Sequence, residues 1–241
     1  MNAHVSPRRK FDRRFYLSAG LAALGLVFWG FARTYYLKLV FETPPLSTRL
    51  HIHGAVMSSW LALFFAQTCL ISARRVDWHR RLGLVGILVA ILVVILGSTT
   101  TFNAAAREVG RHSEEANARV AVLCLELVQM ALFAGLVTAA IAMRRRAEFH
   151  KRLMLLATAC LMPSAFSRIP LNLTFMVSNF MSILMLFNVC VVVPALIDTL
   201  RNRRLHPAFG WGGLITLGSL DLAYPIAISR PWLRIGTWLV S

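Results

Sequence analysis

Residues 77–102 read DWHRRLGLVGILVAILVVILGSTTTF, and this stretch settles what kind of chain it belongs to. From Leu82 to Phe102 no residue is charged. At about 1.5 Å per residue, a helix over that run reaches about 30 Å, the thickness of a bilayer's hydrocarbon core. In lipid each backbone N–H and C=O must be satisfied within the segment, so a lone apolar block of this length predicts a helix. The residues before it suit a membrane boundary. Asp77 stands where a helix macrodipole favours an acid, Trp78 suits headgroup depth, and Arg80 and Arg81 can reach lipid phosphates.

Working outward, six more apolar blocks occur at roughly 15–33, 50–73, 119–143, 152–172, 174–199 and 211–229. The composition agrees: 57% of the 241 residues are hydrophobic and 15% charged, against about 25% charged in a soluble domain. The mean hydropathy is +0.63. The expected fold is therefore all-α, a polytopic bundle of about seven transmembrane helices. A basic tail at 1–14 precedes a single membrane domain at 15–241. Pro163 and Pro170 predict a kink in span five, and Asp221 and Pro225 interrupt span seven. Arg8-Arg9-Lys10-Phe11 partly resembles a twin-arginine export signal. The run that follows continues into Phe28-Trp29-Gly30-Phe31 without a small-x-small site, so an uncleaved first helix is expected. Cys69, Cys124, Cys160 and Cys190 each lie inside an apolar block without CxxC spacing, as buried small residues do.

The net charge of +16 invites a nucleic-acid reading, but the bases are not spread as one would need. They cluster before span one, between spans two and three (Arg74, Arg75, Arg80, Arg81), between four and five (Arg144 to Arg146, Lys151, Arg152) and between six and seven (Arg201, Arg203, Arg204). The other connections carry Glu42, Glu108, Glu114 and Glu115. This alternation predicts a cytoplasmic N-terminus and an outside C-terminus in a bacterial inner membrane, with membrane lipid rather than nucleic acid as the partner. GxSxG, Walker A and GxGxxG signatures are absent from the sequence.

Two of the basic connections repeat. Asp77-Trp78-His79-Arg80-Arg81-Leu82 and Glu148-Phe149-His150-Lys151-Arg152-Leu153 share the order acid, aromatic, histidine, base, arginine, leucine. Both precede spans that enter from the same side, so spans two–three and four–five read as a parallel repeat. Interfacial anchoring accounts for every shared position except the histidine. His79 and His150 then stand as anchors or as ligands.

This layout over Leu50–Asn172 resembles the cytochrome b561-like architecture, in which histidines from two helix pairs hold hemes near the two membrane faces. The resemblance implies b-type heme on His79 and His150, with His53 as an outer ligand. The sequence departs from that pattern on the outer side. His53 lies 26 residues before His79, whereas the residue 26 before His150 is Cys124. The wider string, His51-x-His53-Gly54, Trp60, Gln67, HRRLG and HKRLM, is similar to uncharacterised bacterial multi-span membrane proteins. Some of these occur near cytochrome oxidase assembly factors.

Two further constellations compete. His51 and His53 open span two and point about 200° apart on a helix. With His112, Glu114 and Glu115 they could hold zinc or copper, or they could mark a solvated helix end. Within the spans, Glu126 and Gln129 lie about a turn apart, Arg168 is the expected partner of Glu126, and Asn179, Asn188 and Asp221 add polar groups. These could line one outer polar cavity or simply tie helices together. The sequence thus supports a redox-linked membrane protein tied to heme or to respiratory-oxidase subunits and assembly. It equally admits a transporter or small-molecule-binding protein, or a structural subunit of a membrane complex.

Overall fold

The computed structural model describes residues 7–169 and 180–241. No strand occurs among them. Five described helices are long and apolar enough to cross a membrane, and a sixth span is present if one bent pair is taken as a single crossing. Asn179, the end of expected span five and the start of expected span six lie outside the described residues. The chain divides into two compact units, Met1–Val93 and Val94–Ser241.

The first unit holds α1 (Pro7–Phe31), a π-helical turn (Ala32–Tyr36), α2 (Thr48–Ser72) and the first half of α3 (Val76–Gly110). The expected basic tail is thus helical from Pro7 onward, because nothing in its sequence breaks the helix that the apolar run begins. α1 packs along α2. Val27 of α1 is buried, as are Trp60, Leu61 and Phe64 of α2. Gly54 sits under the Tyr35 ring so closely that a Cβ there would lie 2.5 Å from Tyr35 Cε2. The π turn aims two tyrosines at α2: Tyr35 donates to the His51 carbonyl (3.2 Å), and Tyr36 shares a 2.6 Å bond with Ser58. The Ser47 hydroxyl caps the N-terminus of α2 by accepting from Leu50 N–H.

α2 ends in a left-handed residue, Arg74 (φ 61°), with Arg75 N–H on Leu70 O and Arg74 N–H on Ile71 O. This Schellman pattern satisfies the last carbonyls and reverses the chain within three residues. α3 then leaves with Leu84, Ile87, Leu88 and Ile91 exposed, as suits a helix facing acyl chains.

The second unit is built on α4 (Ala116–Ala142), which packs against α5 (Ala147–Ala159), α8 (Pro207–Ala227) and α9 (Arg230–Val240). α6 (Pro163–Phe166) is a single turn, and α7 (Phe180–Asn202) packs on α8. Phe133, Leu156, Phe187 and Val191 form the buried interior with Phe209 and Leu220. Gly212 lets α8 approach α5: a Cβ there would come within 2.9 Å of Leu156 Cδ1.

Expected span five differs most from the sequence reading. α5 stops at Ala159 after 13 residues instead of running through with a kink. Pro163 has no N–H for the Ala159 carbonyl, and its ring clashes with the carbonyl four residues back. The chain uses Pro163 to start α6 instead, where a missing N–H costs nothing. At the C-terminus α9 turns 86° away from α8. Ser229 caps it, and Trp232 Nε1–H donates to Val120 O (2.9 Å). Gly236 meets the same valine, while Trp238 and Leu239 remain exposed.

Candidate functional site

The second copy of the repeated signature builds a charge cluster. Glu148 is the second residue of α5, which places Arg152 one turn later on the same face. The Arg152 side chain is 1% exposed. Its Nε and Nη2 donate to Asp198 Oδ2 (3.0 Å) and Oδ1 (2.6 Å) of α7, a two-pronged fork. Nη1 donates to the Glu148 carboxylate (2.6 Å) and to the Glu148 carbonyl (2.7 Å). Lys151 reaches the other Glu148 oxygen at 2.9 Å. Two bases therefore face two carboxylates, and all three guanidinium nitrogens donate. Partial burial pushes the Glu148 carboxyl upward, but hydrogen bonds and charge from Arg152 and Lys151 outweigh it and hold it at about 2.

α8 closes the cluster. Arg152 lies over the Phe209 ring (5.9 Å), and Phe149 meets the His206 ring edge-on at 4.7 Å. His206 caps α8, with Nδ1 accepting from Ala208 N–H at 3.2 Å. That bond requires a lone pair on Nδ1 and puts the proton of the neutral ring on Nε2. Burial and then the Arg152 charge lower the His206 pKa, in keeping with a neutral ring. Chemically the cluster is a clasp joining α5, α7 and α8.

The two signature histidines share one helix register. His79 is the fourth residue of α3, as His150 is of α5. Their neighbours differ. The His79 carbonyl accepts from Gln67 Nε2 (3.2 Å). The His150 ring Nδ1 lies 2.8 Å from the Ala140 carbonyl, one of the orphan acceptors at the end of α4. A carbonyl only accepts, so Nδ1 carries a proton, and in a neutral ring the lone pair is then on Nε2. Each histidine belongs to a different compact unit.

His51 is exposed at the start of α2 beside Tyr35, and His53 is half-buried two residues on. His112 takes a left-handed conformation (φ 51°) and ends α3, with its N–H on Val109 O and Ser113 N–H on Glu108 O. Its place is thus explained by chain reversal. Among the described residues no three His, Cys, Asp or Glu side chains gather as a metal-holding group.

The intramembrane polar residues fall into separate pairs. Glu126 is half-buried about 15 Å along α4. Its charge acts on Arg168, with Arg119 nearby, but the Arg168 Nη1 bonds run to Ser164 O (2.6 Å) and Ser167 Oγ (3.2 Å). Gln129 is buried on α4. Asn188 and Asp221 bond to each other (3.4 Å), and Asp221 is exposed on α8.

Asp198 and His206 were absent from the sequence-derived candidates, and Arg152 counted there only as a loop base. A signal existed: Asp198 is the one acid in its apolar block, at the end that meets the Arg152 side. No family model matches the chain, and searches of curated proteins and of solved structures return no match.

Proposed function

We propose that this is a redox-linked multi-pass protein of a bacterial inner membrane, binding b-type heme or serving a respiratory oxidase and its assembly. The supporting observation is the His150 ring. Its Nδ1–H is committed to a backbone carbonyl, which in the neutral ring directs the lone pair to Nε2, the arrangement that metal-ligating histidines use. His79, at the same register of α3, is the other candidate ligand that the repeated signature supplies. A heme there would supply one-electron transfer, and the chain's own contribution would be to fix the tautomer and orientation of its ligands. Seven spans, a parallel repeat of spans two–three and four–five, a cytoplasmic N-terminus and an outside C-terminus complete the proposal. The resemblance to b561-like layouts and to bacterial multi-span proteins near oxidase assembly factors points the same way. Membrane lipid and respiratory subunits are its partners.

The test is the oxidised and dithionite-reduced visible spectrum of detergent-purified protein from heme-replete cells, with iron analysis. A sharp reduced α-band that disappears in both His79→Ala and His150→Ala, with insertion intact, is expected. A featureless spectrum from folded protein would overturn the heme reading.

A second reading draws on Glu126, whose carboxylate makes no hydrogen bond or ion pair among the described residues despite its depth. In it the protein moves or binds a small molecule, with Glu126 and Arg168 at the site. Glu126→Gln would then abolish uptake or binding, while the histidine variants would leave it intact.

A further inference from the structure

The first copy of the signature does something different with the same residues. α2 and α3 are each long and apolar enough to cross a membrane, so the three-residue turn between them lies where both helices end. A surface cleft of about 400 Å³ opens there, lined by Arg74, Arg75, Val76, Asp77, Trp78 and Arg81. Arg81 stands one turn after Asp77, as Arg152 stands after Glu148. Arg152 is held by the carboxylates of Glu148 and Asp198. Asp77 is one methylene shorter than glutamate, and no carboxylate of the described residues bonds Arg81, whose guanidinium lies over the Trp78 ring at 5.6 Å. The Arg74 and Arg75 side chains likewise make no hydrogen bond or ion pair among the described residues. Three planar forks and one carboxylate thus line a single cleft, a net charge of about +2.

We propose that this cleft binds a phosphate group, with Arg74, Arg75 and Arg81 supplying the donors and Trp78 the apolar wall. The equivalent of Asp198 is provided from outside the chain. Guanidinium forks match phosphate oxygens in pairs. The cleft is lined by the first residues of α3, where a helix end carries partial positive charge. Asp77, on the rim, opposes a fully buried anion and favours a headgroup held at the cleft mouth. The source is either an anionic lipid headgroup or a soluble phosphate, and this proposal is independent of the heme reading.

Native mass spectrometry of the full-length protein in detergent tests it, with short-chain phosphatidylglycerol in one arm and inorganic phosphate in the other. Wild type is expected to bind one phosphatidylglycerol that R74Q/R75Q/R81Q binds about a hundredfold more weakly, from about tenfold or less per guanidinium. R144Q/R145Q/R146Q, with the same loss of three charges on the second basic loop, keeps that lipid. Saturation of the site by inorganic phosphate, with no preference for the lipid, would support the phosphate site and assign it to a soluble ligand. Equal binding by wild type and the triple glutamine variant in both arms overturns the proposal. So does full binding by R74K/R75K/R81K, because a diffuse positive field would then suffice without the forks.

Discussion

Asp198→Ala is the most informative single change, because it removes one half of a buried ion pair. In the wild type the Arg152 fork is 1% exposed and meets an Asp198 carboxylate that is 6% exposed. Removing Asp198 takes away the carboxylate that Nε and Nη2 bond, while Nη1 keeps both Glu148 bonds. Breaking one partner of a buried pair costs about 3–5 kcal/mol. The surviving Glu148 contacts place this case at the low end, about 3 kcal/mol. For a helical unit of about 150 residues, about 2–4 °C accompanies each kcal/mol, so the melting temperature should fall by about 6–12 °C. The assay is thermal unfolding of the purified protein in one detergent, followed by circular dichroism. The double variant R152M/D198L replaces both charges by apolar groups and should return to within about 1 kcal/mol of wild type, since hydrophobic replacement of a buried pair is often neutral. A D198A loss below about 0.5 kcal/mol, or a double variant no better than D198A, would show that the clasp does not hold α5 to α7.

Acid should weaken the same cluster in a defined window. The Glu148 carboxyl titrates at about 2 in the fold against an ordinary 4.5, so its contribution is fully present above about pH 4.5 and fades as pH falls toward 2. Glu148→Gln should flatten that acid limb in pH-dependent melts, and an unchanged limb would assign it elsewhere. Gly54→Ala should cost about 1–3 kcal/mol, because its Cβ would meet the Tyr35 ring at 2.5–3.0 Å and displace the Tyr35–His51 bond. Thermal melts read this, with Gly25→Ala, whose Cβ meets open space, as the control. Trp232→Phe removes the donor that ties α9 to Val120 and should cost about 1 kcal/mol, seen as faster proteolysis within residues 228–241.

Residue patterns alone were enough wherever a single segment carries its own reason. Leu82–Phe102, Ala116–Ala142 and Thr48–Ser72 are helices because a long apolar run leaves the backbone no other way to satisfy its polar groups in lipid. The shared register of His79 and His150 was likewise legible, since it depends only on where two helices begin. Pro163 announced a disturbance in span five. Whether a proline kinks a helix or ends it depends on what the neighbouring elements offer the chain, and here α5 ends at Ala159.

Tertiary structure decided the rest, because the same six-residue pattern can meet different neighbours. Arg81 and Arg152 are interchangeable as sequence. One lies open over Trp78, and the other is sealed between Glu148 and an aspartate 46 residues further along. Asp221 and Glu126, which sequence left open between one polar cavity and separate ties between helices, bond or act on different partners. Hydropathy fixes which segments prefer lipid, since that preference is a sum over the segment's own atoms. Which charge is neutralised, and by what, is a pairwise property of groups far apart in the chain, and only the packing of the helices brings those groups within a few ångströms.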